Sequence, residues 1–192
     1  MARPRSEDRR AALLAAATKV FAEHGIAAPT SLISKTARVS EGSFFTYFKT
    51  KDELVNALYA EIRLDLAAMV MDDFPRKAGV KERLAHVFDR FVAWGVENPV
   101  ARRALKHVSM SRVITQAVRA DGGVMFAEVE RIQADALLQR GLSHLPPEMA
   151  SHALKAIAEM TMDVCAGQPK ARGAELRAAG FQMLWGALTS KG

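Results

Sequence analysis

Apolar residues recur along this chain at intervals of three and four, the spacing that lines them along one side of an α-helix. Leu13, Ala17, Val20 and Phe21 form the first series, predicting a helix from about Ser6 to His24. Ser6 stands where an N-cap is needed, Glu7 and Asp8 favour the positive end of the helix dipole, and Gly25 suits the exit. A short helix is predicted from Pro29 or Thr30 to Ala37 and another from Glu41 to about Phe48, capped by Ser40. Between them "RVS" loses the apolar phase and reads as a turn. Thr50 to Glu53 spell a T-x-x-E capping box, and the long helix that follows carries Leu54, Leu58, Ile62, Leu66 and Met69 until Pro75 forbids it.

The same period continues to the end. Leu84, Phe88, Phe91 and Gly95 mark a helix closing near "ENP", and shorter pieces span about 100 to 119. Met125, Val129, Ile132 and Ala136 mark a helix ending near Gly141. Pro146 and Pro147 open one that runs to about Cys165, with Ala153, Ile157, Met160 and Val164 in phase. "AGQPKARG" reads as a loop, and a last helix covers about Ala174 to Thr189. Alternating runs of Val, Ile and Thr are absent, so the predicted class is all-α.

Composition narrows the picture. The 192 residues are 49% hydrophobic and 25% charged, a globular balance that argues against wholesale disorder. No apolar run reaches the length of a membrane span, and the opening "MARPRSEDRR" has no signal-type apolar region; a cytoplasmic protein without a membrane partner is expected. The lone Cys165 leaves no internal disulfide, and with no flanking Cys or basic residue it reads as a small packing residue rather than an oxidant sensor. Charge is uneven. Residues 1–51 hold nine Lys/Arg against four Asp/Glu, which is +5 of the total +6. A segment of that kind suits nucleic acid first and an anionic membrane surface second; a merely solubilising surface is the third reading.

The turn at "RVS" gives the basic segment a shape. Ile33 and Ala37 supply the inner face of one short helix, Val39 plugs the turn, and Phe44 and Phe48 supply the inner face of the next. Ser34 is small where the two helices approach. This leaves Ser40, Glu41, Gly42, Ser43, Thr46 and Tyr47 nearer the outside. Such a face can enter a major groove closely, although a two-helix corner in an ordinary bundle has the same spacing.

The run "VSEGSFFTYFKTKDELVNAL" resembles the DNA-binding domain of the TetR/AcrR family of bacterial transcriptional regulators. Val39, Ser40, Gly42, Ser43, Phe44, Phe45, Tyr47, Phe48, Thr50, Lys51 and Leu54 match that family's hallmark, and "AATKVFAEHGI" resembles its upstream stretch. The likeness covers about the first 60 residues. It implies an N-terminal three-helix helix-turn-helix domain over 1–55 joined to a helical ligand-binding and dimerisation domain over 56–192. It further implies a homodimer on a double-stranded DNA operator, a repressor released by an unidentified small apolar or amphipathic ligand. Ser40, Gly42, Ser43, Phe45 and Tyr47 then fall on the groove-facing helix and Lys51 on the backbone. Thr30 and Ser31 open a helix whose amides can take a phosphate. Arg38 departs from the family, which usually has Gly there; it either bears a left-handed conformation while reaching a phosphate or sits in an ordinary turn. Arg3, Arg5, Arg9 and Arg10 form a basic tail that can reach the duplex or simply fray. The recognition helix lacks Arg, Asn and Gln, so modest direct base readout is expected.

Residues beyond 55 offer Phe88, Phe91, Trp94, Met110, Met125, Phe126 and Met160 as candidate pocket-lining positions. Most of them read first as plain core. Small residues at Ala179, Gly180 and Ala187 are expected to let subunits approach in a four-helix interface built from the last two helices. Glu159 and Asp163, with His152, suit either a cation or a solvated stripe. No cofactor or metal is expected. No motif for phosphate binding, zinc or nucleophilic catalysis stands out, so an enzyme is the weaker alternative; a regulator whose second domain only dimerises is the closer one.

Overall fold

The computed structural model describes residues 4–120 and 123–188. Among the described residues ten helices follow in order: α1 Pro4–His24, α2 Thr30–Ala37, α3 Glu41–Tyr47, α4 Lys51–Met71, α5 Val80–Glu97, α6 Pro99–Ser109, α7 Gln116–Ala120, α8 Gly123–Gln139, α9 Pro147–Cys165 and α10 Lys170–Ala187. Among the described residues there is no strand, as the 3.6-residue period requires.

Local chemistry sets most of the boundaries. Gly25 ends α1 at φ +70°, where only a residue without Cβ is unstrained. Thr50 Oγ1 accepts the Glu53 N–H at 3.1 Å, and Glu53 Oε2 accepts the Lys49 N–H at 2.8 Å, so the capping box closes one residue further back than its usual form. Two expected starts are displaced. Helix α1 begins at Pro4, placing Ser6 inside it; a proline is tolerated in a first turn because its missing N–H has no partner to lose there. Helix α10 begins at Lys170, so the second half of the expected "AGQPKARG" loop is helical. Gly173 does not break it, being buried against the end of α9, where its carbonyl faces the Cys165 thiol at 3.7 Å.

The chain forms two compact units. One comprises residues 1–64 and 98–122, the other residues 65–97 and 123–192. The division falls inside α4 rather than at 55/56, and the first unit is discontinuous because α6 and α7 belong to it. In that unit α1 is the hub, packed by α2 on one side and α6 on the other. Leu13, Leu14, Phe21, Ile33, Phe44, Phe48, Leu54, Leu58, Ala104 and Val108 are all buried. The Asn56 side chain on α4 ties in the segment before α7. Its Nδ2 donates to the Val113 carbonyl at 3.0 Å, and its Oδ1 accepts the Thr115 N–H at 3.0 Å. Arg63 reinforces the attachment by donating to the Arg119 carbonyl at 3.2 Å.

In the second unit α5 is central and contacts α8, α9 and α10. Leu84, Phe88, Val92, Trp94, Ile132, Ala158, Met162 and Leu184 fill its interior. Gly180 marks the closest approach. A Cβ there would overlap the Thr161 side chain and crowd the Phe88 ring at 3.2 Å. The glycine expected to serve a subunit interface therefore serves the seam between α9 and α10 of one chain.

Candidate nucleic-acid interface

The geometry of the candidate surface begins with the turn. Arg38 lies at φ 57°, ψ 40°, the left-handed region, immediately after α2. Its N–H bonds the Lys35 carbonyl at 3.1 Å and the Val39 N–H bonds the Ser34 carbonyl at 3.0 Å. These two bonds make a Schellman ending, normally closed by glycine. Arg38 adopts it with its side chain exposed, so the strained alternative of the two read from the sequence is the one observed. Ser34 is buried at 2% exposure, and its hydroxyl has no partner.

Two residues on, the chain enters α3. The Ser43 N–H donates to Ser40 Oγ at 3.2 Å, and the two hydroxyls lie 2.8 Å apart. This cap fixes the start of a helix only seven residues long. Phe44 and Phe48 are buried, with ring centroids 6.1 Å apart. At about 100° per residue, Gly42 and Thr46 then lie opposite the buried side, flanked by Glu41 and Phe45 on one edge and Ser43 and Tyr47 on the other. Phe45 is 53% exposed although its ring packs edge-on to Phe44. A Cβ on Gly42 would meet nothing within 4 Å. Neither crowding nor a positive φ explains this glycine, so its small size is available to an outside partner.

The flanking groups are cationic or hydrogen-bonding. Thr30 is half-buried and Ser31 exposed at the start of α2, whose N-cap Pro29 supplies no side-chain hydrogen bond. The Leu32 N–H bonds the Pro29 carbonyl at 3.1 Å, and the Thr30 and Ser31 amides before it face out of the helix start, where an external acceptor can take them. Lys51 opens α4 half-buried, its Nζ 6.0 Å from the Phe21 ring centroid. Arg10 is similarly steadied, its guanidinium carbon 5.2 Å from the Phe48 ring centroid. Of the two sequence readings of Arg10, a reach toward the duplex or a frayed tail, the frayed one fails: it is a helical residue of α1 held on an aromatic face. Arg3 and the side chain of Arg5 lie outside the described residues. The discontinuous unit also sharpens the charge pattern. Residues 98–122 contribute Arg102, Arg103, Lys106, Arg112 and Arg119 against one acid, so the first unit carries +7 and the second −1. A count along the first 51 residues alone misses these five.

The candidate ligand-contacting residues differ in burial and in the unit that carries them. Phe88 and Trp94 are buried in the second unit, Phe88 packing on Phe181 at 6.0 Å. Phe91 and Phe126 are half-buried. Met160 is 41% exposed on α9, and Met110 is 80% exposed in the first unit. The side chain of Met125 lies outside the described residues. Cys165 is buried, and desolvation raises its thiol pKa above the usual value, with Arg177 opposing and Asp89 adding to the shift. Among the described residues no cluster of His, Cys, Asp or Glu could hold a metal ion, and no helix is long and apolar enough to cross a membrane.

A capped short helix set behind a tight turn, on the basic unit of an all-helical chain, defines a helix-turn-helix protein. Residues 13–58 match the family model for bacterial regulatory proteins of the tetR family. The fatty acid metabolism regulator protein of Bacillus subtilis is 33% identical over 79 residues, which are 41% of this chain and 41% of that protein. The chain thus matches about two-fifths of that relative's length. A TetR family transcription regulator from Marinobacter aquaeolei VT8 superposes with a TM-score of 0.81 at 20% identity, over 96% of this chain and 97% of its own. LfrR from Mycobacterium smegmatis, in complex with proflavine, gives 0.65 at 18% identity, over 96% and 99%. Residues 13–58 thus match the DNA-binding domain of the tetR family, and the chain as a whole shares the fold of these solved regulators.

Proposed function

We propose that this protein is a homodimeric, DNA-binding transcriptional repressor of the bacterial cytoplasm whose hold on its operator is weakened by a small apolar or amphipathic ligand. The observation that carries the DNA-binding part is α3: a capped helix with its rings turned inward and its glycine, hydroxyls and Phe45 turned outward, on a unit of charge +7. Lys51, Arg38 and the α2 amides hold phosphates, while the α3 face meets base edges.

Dimerisation rests on a second observation. Helix α9 is apolar on two sides. Ala150, Leu154, Ala158, Met162 and Cys165 face the interior of their unit, while Met149, Ala156, Met160 and Val164 are exposed. Met183 on α10 is 55% exposed. A second copy covering these side chains gives the two-fold symmetry that a palindromic operator needs. The ligand half of the proposal draws on the aromatic and methionine content of the second unit and on its near-zero charge. The fatty acid regulator and the proflavine-bound neighbour offer precedents, not an identity for the ligand.

The test is a selection of duplexes from a random pool, followed by fluorescence anisotropy over a range of salt concentrations. Expected are a near-palindromic site, a complex of twice the 21.0 kDa chain mass per site, and a steep fall of affinity with salt. Tyr47→Ala and Lys51→Ala should weaken binding, and Lys51→Ala should flatten the salt slope by about one. Unchanged binding by both variants overturns the interface. Ligands that raise the melting temperature yet never alter operator affinity overturn induction and leave a second domain that only dimerises.

A further inference from the structure

We propose that Glu41 is a specificity-determining residue whose carboxylate accepts a hydrogen bond from the exocyclic amine of a cytosine in the major groove. The inference rests on the DNA-binding reading above and deepens it. Helix α3 reads EGSFFTY, so Glu41 is its only charged side chain. It occupies the first turn, the part of a recognition helix that reaches base edges. It is exposed, and among the described residues no hydrogen bond or ion pair engages its carboxylate. Beside it, Gly42 presents bare backbone with open space around it, which permits the close approach that a short acidic side chain needs.

The electrostatics give the choice of base. A carboxylate on the DNA-facing side of a unit of charge +7 works against phosphate binding, and its favourable interaction with the helix dipole is available at many less costly positions. An ionised carboxylate can only accept. In the major groove guanine and thymine present acceptors and repel it. Adenine presents a donor but sets the N7 acceptor on the same base beside it, whereas cytosine presents its N4 amine alone on its own edge. Glu41 therefore admits cytosine and excludes the other three, by repulsion as much as by attraction.

The experiment uses the full chain and the site obtained by random-duplex selection, with every base pair substituted in turn through one half-site at fixed salt. The wild type should favour cytosine at one position by roughly tenfold or more. Glu41→Ala should remove that preference alone and tighten binding to random duplex. Glu41→Gln should move the preference at the same position toward adenine, which a side-chain amide can bridge. A melting temperature that falls while the base profile stays fixed would mark Glu41 as a helix-dipole residue and overturn the assignment. Wild type that selects no duplex overturns the DNA-binding reading and this inference together; wild type that selects normally, with an unchanged Glu41→Ala profile, overturns this inference alone.

Discussion

Around α3 the first unit leaves hydroxyls, a bare glycine, one ring and a surplus of cations uncovered. Along α9 and α10 the second unit leaves Met149, Met160, Val164 and Met183 uncovered, with no net cationic surplus. Both units bury Phe and Leu in similar fashion, so their interiors say little about what each does. The exposed faces differ in the range of the force they use. A polyanion is gathered by charge, which acts over roughly 10 Å and weakens with salt. A second protein copy is held by apolar contact, which needs complementary shape and is little affected by salt.

That contrast can be broken most severely at the apolar face. Met160→Glu combined with Met183→Glu would place charges in a surface that the proposed dimer removes from water, at several kcal/mol for each unpaired charge. Sedimentation should then show a folded monomer of 21.0 kDa, and operator affinity should collapse because two half-sites are no longer bridged. A dimer that survives both charges would locate the interface elsewhere.

Adjacent rings give the next largest effect. Phe44→Ala should destabilise the first unit by about 3–5 kcal/mol, since the ring is wholly buried. Phe45→Ala should change stability by less than about 1 kcal/mol and yet weaken operator binding. Denaturant titration and anisotropy on the two variants separate packing from recognition at neighbouring positions.

Two glycines make the same division more finely. Gly180→Ala should cost about 1–3 kcal/mol, because its new methyl meets the β-branched Thr161 and the Phe88 ring. Gly42→Ala, with open space around it, should gain up to about 1 kcal/mol of helix stability while lowering DNA affinity. Smallest of all is Arg38→Gly. Relief of the left-handed backbone should raise stability by roughly 1 kcal/mol, and loss of the guanidinium should flatten the salt slope by about one. A destabilised Arg38→Gly protein with unchanged affinity would end the phosphate role given to Arg38.

The helix-turn-helix was legible because each of its parts is local. Ser40 needs only the amide three residues on, Thr50 and Glu53 form their box within one turn, and Phe44 and Phe48 share a face through helix geometry alone. What stayed hidden depends on distant pairings. Nothing near Gly180 in the sequence tells that Thr161 is its neighbour, so its small size was assigned to the wrong seam. On α9 a 3.6-residue period exists on both sides, and the stripe of Ala153, Ile157, Met160 and Val164 read from the sequence proved the less buried of the two. Periodicity reports that a face is apolar without saying whether the same chain or another covers it. The cations of residues 98–122 were overlooked as parts of the basic unit for a similar reason: their membership depends on α1 and α6 packing together.

The discontinuity of the first unit bears on how the chain is made. Helix α1 packs against α6 as well as α2, and Asn56 waits for the backbone of Val113 and Thr115. On a ribosome, residues 1–64 emerge long before those partners exist. Ala104 and Val108 are fully buried in the completed unit, so until they arrive part of its apolar surface is open to solvent and to chaperones. The helix-turn-helix can form early as local structure, but its unit is completed only after a further stretch of more than 30 residues, 65–97, has been synthesised and looped out. A nascent chain stalled before about residue 115 would carry the whole recognition motif on an unfinished support.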